Sequence, residues 1–413
     1  MATENKKYIP ALRFPEFQND GEWSMLELGK FAKIVMGQSP SSEAYNERGE
    51  GVPLLQGNAD IKDRHQVVRV YTTDITKTCD INDIIMTVRA PVGTISRASF
   101  KSCIGRGVCA IKTDSEYLYQ YLISIEQEWD KLASGSTFVS ITSNQIFDRI
   151  IFVPLTIQEQ KKIADCLSSL DKYIDETKRK LDLLKEHKKG LMQRLFPAKG
   201  KTTPELRFPE FIGTKEWSPT QLGAIGETIG GLSGKSAEDF GTGKPFVTYK
   251  QVFNSSEIDF SECALVHISE NEAQNRLQYG DVLVTMSSET PDEVGYTAVV
   301  TNKNILECYL NSFCFIYRLF DDESIDAKFL IYLFSSDVYR TAVVRIAQGI
   351  TRFNISKTKF KEIELVIPEN EYEQRKIAET LSAIDKQITE YDKKIKALEL
   401  HKKGLMQQLF PKL

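Results

Sequence analysis

Two stretches of this chain place apolar side chains at alternating spacings of four and three residues. The first runs through Ile163, Leu167, Leu170, Ile174, Thr177, Leu181, Leu184, Lys188, Leu191 and Leu195; the second through Ile377, Leu381, Ile384, Ile388, Tyr391, Ile395, Leu398, Lys402, Leu405 and Leu409. Such a sustained heptad seam predicts long helices built to pair. Thr156-x-x-Glu159 and Asn370-x-x-Glu373 read as capping boxes at their starts, and Pro197 and Pro411 as stops. Each helix is thereby bounded at about 36 residues, or roughly 54 Å at 1.5 Å per residue. The seam is narrow, close to positions a and d alone, which suits a helix partner. The alternative is an amphipathic helix lying on its own domain.

Elsewhere the pattern changes to short β-branched runs broken by Gly, Pro, Asn and Asp, at residues 81–88, 107–111, 281–286 and 312–317. Helical periodicity returns near 117–132 and 327–344. Two mixed, β-rich domains are expected, at about 20–153 and 213–367.

These elements occur twice. Leu12-Arg13-Phe14-Pro15-Glu16-Phe17 returns as Leu206-Arg207-Phe208-Pro209-Glu210-Phe211, and Trp23 and Gly29 return as Trp217 and Gly223, all at an offset of 194. Residues 154–197 return as 368–411 at an offset of 214, with 24 of 44 positions identical. The second copy therefore holds about 20 extra residues between these blocks, where similarity is faint: Gly135-x-Thr137-x-x-x-Ile141 against Gly349-x-Thr351-x-x-x-Ile355. Periods of this length are too long for a solenoid and suggest a fused dimer. A fused dimer keeps its two-fold, so the helices should pair antiparallel. The expected fold class is α+β: two mixed β-rich domains separated by a pair of long antiparallel coiled-coil helices in a pseudo-two-fold repeat. The expected divisions are 1–155, an N-terminal segment with the first domain; 156–197, the first spacer helix; 198–368, a linker with the second domain; and 369–413, the second spacer helix.

Composition then narrows the function. With 41% hydrophobic and 27% charged residues the chain resembles an ordinary soluble protein. No apolar run reaches the roughly 18 residues of a membrane span, and the polar start shows no secretory signal, so a cytoplasmic location is expected. Seven cysteines without a Cys-x-x-Cys pair argue for core thiols over a disulfide framework. Four histidines form no metal-spaced cluster, and neither a Gly-x-Ser-x-Gly elbow nor an Asn/Asp-Pro-Pro-aromatic motif is present. Gly230-x-x-x-Gly234-Lys235-Ser236 falls one residue short of a phosphate loop and reads as a flexible loop. Neither catalytic nor metal-binding residues are expected.

The 53 basic and 57 acidic side chains give a net charge of −4, so the balance announces no nucleic-acid binder. Charge is nevertheless uneven. Residues 84–113 hold Arg89, Arg97, Lys101, Arg106 and Lys112 without an acid, and residues 338–361 hold Arg340, Arg345, Arg352, Lys357, Lys359 and Lys361, again without one. Such windows are either solvated faces or phosphate-neutralising clusters. Loops beside them supply base-edge chemistry: Arg for guanine, Asn or Gln for adenine. The candidate DNA-binding set is Gln56, Asn58, Lys62, Arg64, Arg89, Arg106, Ser136, Thr137, Tyr249, Lys250, Gln251, Thr351, Arg352, Asn354 and Lys357.

The paired Arg-Phe-Pro-Glu-Phe segments, Arg89-Ala90-Pro91-Val92-Gly93, Ile104-Gly105-Arg106-Gly107, Gly135-Ser136-Thr137-Phe138, and the Glu-Gln-x-x-Ile-Ala entry into each heptad helix resemble the specificity subunit of type I restriction-modification enzymes. The resemblance covers nearly the whole chain. It implies two target-recognition domains held apart by antiparallel helices, each reading one half of a split, asymmetric sequence in double-stranded DNA. It also implies partners: modification subunits, two of them, that methylate adenine with S-adenosylmethionine, and restriction subunits that use ATP and Mg to translocate and cleave. No cofactor is expected on this chain, and no membrane partner. Helices of roughly 54 Å would set half-sites one to one and a half turns of DNA apart. In the second copy Cys308-Tyr309-Leu310-Asn311-Ser312-Phe313-Cys314 replaces Cys103-Ile104-Gly105-Arg106-Gly107-Val108-Cys109, so the role of Arg106 does not transfer. The competing readings are a coiled-coil scaffold whose heads bind proteins, and an inactive or swapped-domain specificity subunit.

Overall fold

A computed structural model describes residues 8–132, 140–305, 307–320 and 325–411. The chain divides into two units, Met1–Lys178 with Lys393–Leu413, and Arg179–Asp392. Both long helices are present, Ile157–Leu195 and Glu371–Leu409, each of 39 residues, and each gives one half to each unit.

Unit 1 holds a six-stranded sheet that runs, from one edge inward, Lys33–Met36, Val108–Lys112, Ile84–Thr87 and Ile95–Arg97, each strand antiparallel to the next. A second sheet contains Val70–Thr72, Val52–Leu55 and Ser102–Ile104, the last two parallel. Continuous apolar runs fit strands buried on both faces, and Ile84, Ile85 and Met86 are fully buried. The run expected at 107–111 is the strand Val108–Lys112, and the helical stretch resolves into Glu116–Ser124 and Glu126–Leu132. The antiparallel pairing of Ser24–Glu27 with Ile150–Val153 brings the start and end of the head together.

Unit 2 repeats this plan. Gly226–Gly230, Cys314–Leu319, Val282–Thr285 and Thr297–Val299 form the same antiparallel order. Ala264–Val266, Phe240–Val247 and Tyr309–Leu310 form the second sheet, again with one parallel pair. The helical run of 327–344 is broken into Ala327–Leu333 and Asp337–Ile346, because Ser336 caps a new helix through its side chain.

In each unit the helix halves do both things that the seam left open: they pair, and their ends enter the core of the head. Ile163, Ala164, Leu167, Met406, Leu409 and Phe410 belong to one apolar cluster with Trp23, Tyr117 and Tyr121. In unit 2, Leu195, Phe196, Ile377, Ala378 and Leu381 join Trp217 and Phe329. Within unit 1 the pairing is antiparallel, since Asp171 meets Lys402 at 2.5 Å and Lys178 meets Glu399 at 2.7 Å. In unit 2, Lys188 meets Asp385 at 2.6 Å.

The capping-box glutamates have a different task from the one expected. Thr156 does accept the Glu159 backbone N–H, but the Glu159 carboxylate is buried and accepts two bonds from Arg13, both at 2.7 Å, and one from the Trp23 indole. Glu373 takes the same bonds from Arg207 and Trp217. The repeated Arg-Phe-Pro-Glu-Phe signature is thus a clasp between the entry segment and the helix start.

Candidate nucleic-acid interface

In unit 1 five backbone segments are tied to one another at one edge of the two sheets. The Gln38 N–H donates to the Ile104 carbonyl, Gly105 to Leu55, Val88 to Gly107 and Ile141 to Val88. Close approach requires the glycines here: a Cβ on Gly107 would lie 1.9 Å from the Gln56 carbonyl oxygen, and one on Gly37 2.1 Å from that of Gly105. This edge therefore presents Ser39, Gln56, Asn58, Arg89, Arg106 and Ser140 on a rigid base.

Unit 2 repeats these ties bond for bond. Leu232 donates to Leu310, Asn311 to Val247, Met286 to Phe313 and Ile355 to Met286. The correspondence assigns Ser287 to the position of Arg89 and Ser312 to that of Arg106, and it pairs Ser287 with Asn354 as Arg89 is bridged to Ser140. The offset grows from 194 at Gly37/Gly231 to 206 at Gly105/Asn311 and 214 at Ile141/Ile355, so the extra residues of the second copy lie in the connections between shared strands. Tyr249, Phe253, Ser287, Ser288, Glu289, Glu293, Phe313 and Arg352 line a hollow of about 300 Å³ at this edge.

The sequence-derived candidates separate on this framework. Gln56, Asn58, Arg89 and Arg106 converge in unit 1; Arg89 and Arg106 are exposed, and the Arg106 side chain donates to Ser39 Oγ at 3.3 Å. Tyr249, Thr351, Arg352 and Asn354 converge in unit 2, with Tyr249 fixed by donating to the Ser287 carbonyl at 2.7 Å. Lys250 and Lys62 are exposed, Lys62 on a short strand at the far side of its sheet. Lys357 opens the short helix Lys357–Lys361 and is half-buried. Ser136 and Thr137 lie outside the described residues.

Two candidates are corrected. Arg64 is half-buried and forked onto Glu126 at 2.6 and 2.9 Å, with a further bond to the Ile95 carbonyl; its guanidinium is engaged by the head's own groups. Gln251 is buried, its amide oxygen accepting the Thr248 N–H at 2.9 Å and its amide nitrogen donating to the Asp259 carbonyl. It caps a helix and is not available at the surface.

The basic windows are corrected in the same way. Arg97 is paired with Glu116 and stacks over Tyr119, while Lys101 and Lys112 share Asp80. The Asp80 carboxyl is held below its ordinary pKa first by the hydrogen bond from Lys112. Arg340 is wrapped in the carbonyls of Gly295, Asp292 and Val294, and Lys359 pairs with Glu362. In the first window acids 19 to 32 residues away take three of the five cations, whereas in the second window backbone carbonyls take Arg340 and the neighbouring Glu362 takes Lys359. Lys235 of the phosphate-loop look-alike is likewise consumed, donating to the His267 carbonyl and Glu272 with its side chain 6% exposed. All seven cysteines are free thiols; Cys79, Cys103, Cys109, Cys308 and Cys314 are buried, and burial pushes Cys109 up to about 12. Among the described residues no group of three His, Cys, Asp or Glu side chains could hold a metal ion, and no helix is long and apolar enough to cross a membrane.

The family described as "Type I restriction modification DNA specificity domain" matches residues 20–186 and again 214–400, and the chain belongs to it. One similar protein is a putative type I restriction enzyme specificity subunit of Methanocaldococcus jannaschii, MjaX, 38% identical over 43% of each chain; the match spans less than half the length of that relative. Another from the same organism, the MjaVIII specificity subunit, is 23% identical over 98% of this chain and 95% of the relative. The EcoBI specificity subunit of Escherichia coli is 23% identical over 89% of this chain and 81% of its own. The fold is shared with the solved S subunit of a type I restriction-modification system from M. genitalium, with a TM-score of 0.61 over 98% of this chain and 99% of that one at 16% identity.

Proposed function

We propose that this chain is the DNA-reading subunit of a type I restriction-modification assembly. Each unit reads one half of a split target in double-stranded DNA, and because the reading edges carry different side chains the target is asymmetric. Modification subunits, two per chain, transfer methyl groups from S-adenosylmethionine to adenine; restriction subunits supply ATP-driven, Mg-dependent cleavage. This chain supplies position and selectivity without bond-making chemistry of its own.

The observation that carries the reading is the duplicated edge. One hydrogen-bonded framework recurs in both copies of the family domain, while the residues it displays change: exposed Arg89 and Arg106 in one copy, exposed Ser312 and Phe313 in the other, where buried Ser287 takes the place of Arg89. A constant base with variable exposed tips is what selective readout of two different sequences needs, since base edges are read by side chains and register is held by backbone contacts.

The test is a filter-binding titration of duplex DNA by the chain assembled with its modification subunit. Selective retention of duplexes carrying one split sequence, over a shuffled control, supports the reading; equal retention of both, or none, contradicts it.

A further inference from the structure

The two units present one structurally equivalent turn with opposite chemistry. In unit 1 it is Gly105-Arg106-Gly107. The Arg106 tip is fixed by its own backbone N–H donating to Ser39 Oγ at 3.3 Å and by the packing of Gly107 on the Gln56 carbonyl. Its neighbours Ser39 and Gln56 are polar and uncharged, so Arg106, unlike Arg64, Arg97, Lys101 and Lys112, has no carboxylate partner among the described residues.

In unit 2 the turn is Asn311-Ser312-Phe313. The Phe313 backbone is fastened on both sides, its N–H donating to Asn311 Oδ1 at 2.9 Å and its carbonyl accepting from Met286 at 3.0 Å, yet the residue is 55% exposed. A large apolar ring held out to solvent by a rigid backbone is poised for an apolar contact. The hollow beside it carries Glu289 and Glu293 as well as Arg352. Glu289 and Glu293 repel phosphates and can accept from base amino groups, while Arg352, the one cation among the described residues of this lining, is left for a phosphate, so the hollow is suited to base edges beside the DNA backbone.

We infer that this turn is the base-reading element of both units, with Arg106 selecting a guanine through its O6 and N7 in the first half-site and Phe313 selecting a thymine through its methyl group in the second. Guanidinium groups pair bidentately with guanine, and phenylalanine contacts the thymine methyl in the major groove. The inference rests on the proposed DNA-reading function and names the residue and base class in each half.

The test uses the full chain assembled with its modification subunit. Adenine-methylation mapping first defines the split target; a failure to find any such target would remove the proposed function itself, whereas the following outcomes bear on the turn alone. In binding competition, replacing one guanine of the first half-site by 7-deazaguanine should weaken the wild-type complex about ten-fold or more. Arg106→Ala removes the donors to O6 and N7; it should lose the preference for guanine at that position while leaving the second half-site untouched. Replacing one thymine of the second half-site by uracil should weaken wild type, and Phe313→Ala should abolish the difference between the two bases. The inference is overturned if no guanine of the first half-site is sensitive to loss of N7. It is equally overturned if Arg106→Ala retains full base preference, or if thymine and uracil are bound alike by wild type at every position.

Discussion

The Lys402 ammonium lies 2.5 Å from the Asp171 carboxylate, on a helix 231 residues away along the chain. Lys402 occupies a seam position, and its side chain is only 9% exposed. Burial pulls its pKa below the ordinary lysine value, and Asp171 opposes that pull. Gln120, from a helix of the head, donates to the other Asp171 oxygen at 2.8 Å. The same three-part arrangement exists in unit 2 as Lys188, Asp385 and Tyr332. The polar break in each heptad seam therefore fixes pairing register and ties the helix pair to the head at once.

Removing the acid should expose the value of this arrangement. Asp171→Ala leaves a buried ammonium without its partner and should cost about 2 to 3 kcal/mol, the lower end for a broken buried pair because Asp171 is a third exposed. Thermal unfolding should show a Tm lower by roughly 4 to 12 °C, and adding Lys402→Leu should recover most of it. A double variant no more stable than the single one would contradict this.

The Arg13–Glu159 clasp is more deeply buried, with side chains 5% and 0% exposed. Arg13→Met should destabilise by about 3 to 5 kcal/mol and leave the recognised sequence unchanged. Scanning calorimetry and methylation mapping of the same variant check both halves; an altered half-site in a stable variant would make Arg13 a reader.

Arg89 and Arg352 are exposed cations on the two reading edges. Alanine at either should weaken DNA binding by the assembled complex and reduce the slope of log affinity against log salt by about 0.9 for each phosphate no longer neutralised. Titrations at several salt concentrations measure it, and unchanged slopes for both would take these residues off the DNA.

Heptad residues inserted together between Thr177 and Leu184 and at the matching point of the second helix should change the number of unread bases between half-sites and neither half-site itself. Mapping that returned altered half-sites with a constant spacer would reject the helices as its determinant.

Much of this is legible in the chain as letters. The capping residues and proline stops around the four-three alternation bracket both long helices to within two residues, since heptads and prolines are local signals. The faint Gly-x-Thr-x-x-x-Ile echo also points to a true equivalence, because Ile141 and Ile355 make the same backbone bond to Val88 and Met286. What escapes the letters is anything settled by distant partners. Arg64 reads as a free loop arginine, yet Glu126, 62 residues on, takes both its terminal nitrogens. Gln251 reads as an adenine reader but sits inside its own capping box. Phe313 does not stand out because an aromatic in a β-rich run reads as core, and only the turn geometry shows it turned outward.

The most direct test of two unlike reading heads on one chain is to sequence methylated adenines in cells that express this chain with its modification subunit. The account predicts methylation within one split motif whose two halves differ in sequence across a spacer of fixed length. A continuous motif, or two identical halves, would contradict it.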